Sequence, residues 1–111
     1  SETLMDAVTA VSGSGPAYIF LLAEAMEAAA LSEGLPAESA RTLVLETVLG
    51  AARMLTESGE DPAELRRRVT SPGGTTQAAI ETFEAGGLRN LVASAIRNAT
   101  ERGRQLSAAN D

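Results

Sequence analysis

Two consecutive segments of this chain carry more apolar surface than a small monomer can cover. From Pro16 to Leu31 the side chains are almost continuously apolar, interrupted by Glu24 and Glu27. The next segment, from Pro36 to about Ser58, confines Thr42, Glu46, Arg53 and Glu57 to one narrow polar stripe. Leu43, Val44, Leu45, Val48, Leu49, Met54 and Leu55 occupy most of the remaining circumference. A surface helix of a monomer shows a broad polar face instead. Each Leu or Val left wet forgoes roughly 1.5–3 kcal/mol of burial. Isologous pairing of two copies removes that penalty, so the pattern predicts a homodimer with interlocked helices. The Pro16–Leu31 run is shorter than the roughly 20 residues that span a bilayer, and it reads as a buried helix with no membrane role.

No stretch alternates apolar and polar residues as a strand does, whereas helical signals recur throughout. A short helix is expected from about Leu4 to Val11, followed by a break at Ser12-Gly13-Ser14-Gly15-Pro16. Pro16 suits the first position of the next helix, where its missing N–H costs nothing. That helix runs to about Glu33 and stops at Gly34. Asp61-Pro62-Ala63-Glu64 is a helix start, with Asp61 as N-cap, and the short helix it opens ends near Val69. A further helix covers Gln77 to Glu84 and closes at Gly86-Gly87. The last helix places Leu88, Leu91, Val92, Ala95, Ile96 and Ala99 on one face, and the tail from Ser107 to Asp111 is expected to fray. The fold class is all-α, a single helical domain over residues 1–111.

Composition narrows the chemistry. A chain of 111 residues makes one domain that buries roughly two-thirds of its unfolded surface. Aromatic residues are 3% of it (Tyr18, Phe20 and Phe83), so the core relies on small side chains and close helix approach. Cys, His, Trp and Lys are absent. Without Cys and His there is no common zinc site, and no metal is expected; a Cys nucleophile and a Ser-His-Asp triad are equally excluded. A formal net charge of −6 argues against nucleic-acid binding. The lack of disulfides and of a visible signal peptide suits a cytoplasmic protein.

The chemical candidate is Val69-Thr70-Ser71-Pro72-Gly73-Gly74-Thr75-Thr76, a Gly-rich loop leading into a helix. A helix N-terminus has unpaired N–H groups and a partial positive charge, and so attracts anions. Two glycines allow close approach to the backbone, and the hydroxyls of Ser71, Thr75 and Thr76 add donors. The local chemistry suits a small carboxylate or phosphate; an ordinary helix cap with a tight turn is the alternative. Ser12-Gly13-Ser14-Gly15-Pro16 is not a dinucleotide fingerprint, because no strand precedes it and Tyr18 takes the last glycine position. It reads as a turn with close helix packing. Arg66-Arg67-Arg68 reads as a solvated face, with a lesser role in raising the local potential for anions. Glu24, Glu27 and Glu46 lie on apolar helices, where they suit pairing with Arg across an interface.

The segment Asp6-Ala7-Val8-Thr9-Ala10-Val11-Ser12-Gly13-Ser14-Gly15-Pro16-Ala17-Tyr18, together with Val69 to Thr76, closely resembles pyrroline-5-carboxylate reductase. Gly34-Leu35-Pro36 and Thr47-Val48-Leu49-Gly50-Ala51-Ala52 stand between them in that family's order, and the resemblance extends from about Leu4 to Leu106. It implies the last step of proline biosynthesis, the reduction of 1-pyrroline-5-carboxylate to L-proline with NADPH or NADH. It also implies a C-terminal helical domain of the 6-phosphogluconate dehydrogenase C-terminal-like kind, forming an interlocked homodimer that can assemble into larger oligomers of dimers. The chain looks like that part alone; the family's N-terminal Rossmann domain is absent from it. By position, Ser71, Gly73, Gly74, Thr75 and Thr76 would hold the substrate carboxylate. Thr76 would lie near the imine nitrogen as the catalytic residue, and Val69 and Thr70 near the nicotinamide. A non-catalytic helical dimerisation module with a structural Gly-rich cap is the competing reading.

Overall fold

The structure, a computed structural model, describes residues 2–110. Among these residues there are six α-helices, one π-helical turn and no strand, so the all-α expectation holds. In chain order they are α1 (Glu2–Val8), a π-helical turn (Thr9–Gly13), α2 (Gly15–Ser32), α3 (Ala37–Glu57), α4 (Pro62–Arg68), α5 (Thr75–Ala85) and α6 (Leu88–Asn110). The chain divides into two compact units: one joins the residues up to Ile19 with those from Glu81 onward, and the other is Phe20–Ile80.

In the first unit, α1 and the π-helical turn pack on α6. Approach is close because position 103 is glycine: a Cβ there would lie 3.2 Å from Asp6 Oδ1. The first helix does not stop at Val11 as expected. It widens, and the Ser14 N–H donates to the Thr9 carbonyl five residues back at 2.9 Å. A π turn accommodates one extra residue per turn while keeping the backbone bonded, so Ser12 and Gly13 are absorbed and the helix is not broken there. Ala10, 1% exposed, has a carbonyl that accepts the Tyr18 hydroxyl at 2.6 Å. The helix then resumes at Gly15, one residue before the expected Pro16. At the other end, α6 remains helical to Asn110, so the expected fraying from Ser107 is not observed; Asp111 lies outside the described residues. Ala108 and Ala109, the best helix-forming residue type, favour that continuation.

In the second unit, α2 ends in a Schellman motif. Gly34 has φ +98°; its N–H donates to the Leu31 carbonyl, and the Leu35 N–H to the Ala30 carbonyl. Only glycine takes that conformation without strain. Pro36 caps α3, its carbonyl accepting the Ala40 N–H at 2.9 Å. Asp61 occupies the N-cap of α4 as expected, but its carboxylate makes no capping bond. Its backbone carbonyl accepts the Glu64 and Leu65 N–H groups instead. Packing of α4 on α3 accompanies burial of Ala40, Val44 and Leu65.

Burial in this unit goes no further than those side chains among the described residues. No residue of α2 is buried within the protomer, so the burial read from its sequence would have to come from a second copy. Phe20 is 71% exposed, and Leu21, Leu45 and Leu49 are also open. An apolar groove of about 370 Å³ lies between α2 and α3, lined by Met26, Ala29, Ala30, Leu43, Val44 and Thr47. Glu27 does not await a partner across an interface: it pairs with Arg41 of the same chain at 2.9 Å. Its hydrogen bond and charge raise the Arg41 pKa above the ordinary guanidinium value. Among the described residues no helix is long and apolar enough to cross a membrane.

Tyr18→Phe tests the π turn. The substitution keeps the ring and leaves the Ala10 carbonyl buried without its donor, a loss of about 1–3 kcal/mol. The urea midpoint is expected to fall with an unchanged slope, and an unchanged midpoint contradicts the role given to this bond.

Candidate functional site

The Gly-rich loop is built by two helix ends and a turn, all within the Phe20–Ile80 unit. At the end of α4, Thr70 turns back on the helix: its N–H donates to the Arg67 carbonyl and its hydroxyl to the Arg66 carbonyl. Ser71-Pro72-Gly73-Gly74 then form a β-turn closed by the Gly74 N–H to the Ser71 carbonyl at 3.1 Å. Pro72 stands at its second position and Gly73, with φ +74°, at its third, which is the type II pattern. The two glycines have different reasons. Gly73 supplies the positive φ; at Gly74 a Cβ would lie 3.3 Å from the Ser71 carbonyl oxygen.

Gly74 is also the N-cap of α5, since its carbonyl accepts the Ala78 N–H at 3.2 Å. The helix therefore begins at Thr75, two residues before the expected Gln77, and Thr75 and Thr76 belong to its first turn. Gln77 reaches back so that its side-chain oxygen accepts the Gly73 N–H, a relative of the capping box.

An inventory of donors defines what the loop offers. The Gly73 and Gly74 N–H groups are already bonded, to Gln77 and Ser71. Those of Thr75, Thr76 and Gln77 have no partner among the described residues. The hydroxyls of Ser71, Thr75 and Thr76 are likewise unbonded there, in contrast to the Thr70 hydroxyl on Arg66. Thr76 and Gly74 are half-buried, while Ser71, Gly73 and Thr75 are exposed. A helix N-terminus adds its partial positive charge at this point. The arrangement accepts an anion with several lone pairs, as a carboxylate has.

The neighbouring arginines behave as a solvated, paired face. Arg67 pairs with Glu64, and Arg68 with Glu60 at 3.1 Å and Glu64 at 3.3 Å. The Glu60 hydrogen bond and charge, then Glu64, raise the Arg68 pKa. Arg66 has no ion pair among the described residues. The structure thus gathers Ser71, Gly73, Gly74, Thr75 and Thr76 around one turn, with Val69 (56% exposed) and Thr70 at its approach. Gln77 is the member that the sequence reading passed over. Its signal is a Gln three residues after the helix N-cap, where a side chain can fold back on the turn.

Comparison with known proteins bears on the whole of this chain. The family described as pyrroline-5-carboxylate reductase dimerisation matches residues 2–106. Pyrroline-5-carboxylate reductase of Pseudomonas aeruginosa is 56% identical over 106 residues, covering 96% of this chain and 39% of the relative. A solved pyrroline-5-carboxylate reductase from Coxiella burnetii superposes with a TM-score of 0.92 at 49% identity, over 96% of this chain and 39% of that one. The Plasmodium falciparum pyrroline carboxylate reductase, solved with NADP bound, gives 0.90 at 33% identity over 95% and 40%. The chain spans about two-fifths of the length of these relatives. With one family model spanning both units and relatives at this identity, the chain belongs to the pyrroline-5-carboxylate reductase dimerisation family.

Proposed function

We propose that residues 1–111 are the dimerisation and substrate-binding domain of a cytoplasmic enzyme that reduces 1-pyrroline-5-carboxylate to L-proline with NADPH or NADH. The observation that carries this reading is the donor set at the start of α5. The Thr75, Thr76 and Gln77 N–H groups and three hydroxyls lack partners among the described residues, inside the segment matched by the reductase family. A purely structural cap explains the type II turn and both glycines. It leaves the hydroxyls of Ser71, Thr75 and Thr76 without a task.

In this reading the substrate carboxylate rests on the first turn of α5, with Ser71 and Thr75 hydroxyls beside it. Gly73 and Gly74 shape the turn and admit the ligand. Thr76, half-buried, is the catalytic residue: its hydroxyl orients the ring by hydrogen-bonding near the imine nitrogen. An alcohol is a weak acid, so Thr76 acts first as an orienting group, its oxygen accepting the N–H of the protonated imine, and relays a proton only from water. The imine accepts hydride best when already protonated, so the forward reaction needs no base, consistent with a chain that has no His. Holding the ring carbon in one geometry supplies much of the acceleration.

The nicotinamide cofactor supplies the hydride when bound. Val69, 56% exposed, offers apolar contact to a planar ring, and Thr70, its hydroxyl committed to Arg66, offers backbone and carbon. These residues fit the uncharged ring rather than the phosphates, which belong with a Rossmann domain outside these residues. The partner is a second copy, seated on the open faces of α2 and α3, with assembly of dimers into larger oligomers a further step of the same reading. No nucleic acid or membrane takes part.

An NAD(P)H-oxidation assay of the complete reductase with the imine tests the activity, and no oxidation above background rejects it. Thr76→Ala is expected to lower kcat/KM for the imine by about ten- to a hundredfold, well beyond any change in KM for the cofactor. Unchanged kinetics reject the role of Thr76. For the assembly, Phe20→Glu is the discriminating change. At a 71% exposed position of a monomer it shifts stability within about 0.5 kcal/mol. In the proposed dimer it shifts the sedimentation coefficient towards that of a monomer at micromolar concentration.

A further inference from the structure

The Gly73 N–H lies in the middle of the carboxylate loop, yet it bonds to a side chain from the helix that follows. Its acceptor is the Gln77 amide oxygen, four residues on. That contact fixes the third residue of a type II turn whose conformation, with φ +74° at Gly73, is otherwise held by a single backbone bond, Gly74 N–H to Ser71 carbonyl. It also ties the turn to the first helical turn, where the unbonded Thr75, Thr76 and Gln77 N–H groups stand. Gln77 is half-buried, and its own N–H is one of the free donors. One residue therefore both contributes a donor and fixes the turn that frames the other donors.

We infer that Gln77 is a positioning residue for substrate binding: its side-chain oxygen locks the Gly73 peptide so that the α5 donors converge on one carboxylate. The inference rests on the proposed reading of the loop as the carboxylate site. A Leu at 77 keeps the helix, because Leu is a strong helix former, and releases the Gly73 N–H because it has no oxygen to accept it. The turn then samples other peptide orientations, and the donors meet the substrate less often in one geometry. Binding is weakened, while the chemistry of a bound substrate, governed by Thr76 and the cofactor, is little changed.

The test is steady-state kinetics, with Gly73 amide exchange beside it, on the complete reductase with Gln77→Leu, Gln77→Glu and Thr76→Ala. Gln77→Leu is expected to raise KM for the imine carboxylate about three- to tenfold, with kcat and the cofactor KM within twofold of the parent. Gln77→Glu retains an oxygen for the Gly73 N–H but sets a negative charge beside the substrate carboxylate, so it is expected to raise the imine KM while keeping Gly73 amide exchange within about twofold of the parent, whereas Gln77→Leu speeds that exchange. An unchanged imine KM in Gln77→Leu overturns the inference. So does an equal loss in every parameter, which marks a general fold defect, or Gly73 amide exchange as slow in Gln77→Leu as in the parent. If Gln77→Leu is silent while Thr76→Ala is impaired, the inference about Gln77 fails and the carboxylate reading stands. If both are silent, the carboxylate reading fails with it.

Discussion

The structure depends on an uncovered hydrophobic surface. Helix α2 is apolar around most of its circumference and α3 around much of it, and the protomer leaves both largely open. Burial of an exposed Leu or Phe is worth roughly 1.5–3 kcal/mol, and Phe20, Leu21, Leu45 and Leu49 are all exposed. A marginally stable domain, with a net stability of about 5–15 kcal/mol, does not carry that deficit alone. The buried side chains within the Phe20–Ile80 unit, Ala40, Val44 and Leu65, are too few and too small to replace it. Membership of a dimerisation family accords with that physical need.

Such a dependence ties assembly to folding, because the apolar faces that α2 and α3 leave open in the protomer contribute to stability only once they are covered. The elements that need no partner are the ones closed by local rules. Gly34 ends α2 through two backbone bonds, and Pro62 starts α4 where its missing N–H is harmless. The Gly-rich loop belongs to this locally determined class. Its turn is defined by Pro72, Gly73 and Gly74 within the chain, so the loop does not wait for distant contacts to take shape.

How far the sequence disclosed this structure follows the same division. Helices bounded by Gly and Pro were legible to within a residue or two, as Gly34, Pro36, Gly59 and Pro62 mark them. The π turn was not, because Ser12-Gly13-Ser14-Gly15-Pro16 signals a break as readily as a widened helix. What separates the two is the Tyr18 hydroxyl on the Ala10 carbonyl, a contact across eight residues that no local pattern announces. The apolar circumference of α2 was legible, but its assignment as buried depends on molecules other than the protomer. The members of the site could be read as a group from composition and position. The partition of its donors into bonded and free could not, since it depends on where α5 begins. Moving that start from Gln77 to Thr75 places both threonines inside the first helical turn.

That partition shows that a helix cap and an anion cradle need not compete for the same donors. A tight turn requires that some backbone donors be satisfied internally, and here the Gly73 and Gly74 N–H groups are. Satisfying them fixes the turn and directs the remaining donors, on Thr75, Thr76 and Gln77, along the helix axis. A loop with every N–H free would be too mobile to hold a ligand in one pose, and one with every N–H bonded would have nothing to offer it. The capping interactions are therefore the condition under which the binding reading works. A glycine that looks reserved for ligand access, Gly73, shapes the turn by accepting a backbone conformation that other residues adopt only with strain.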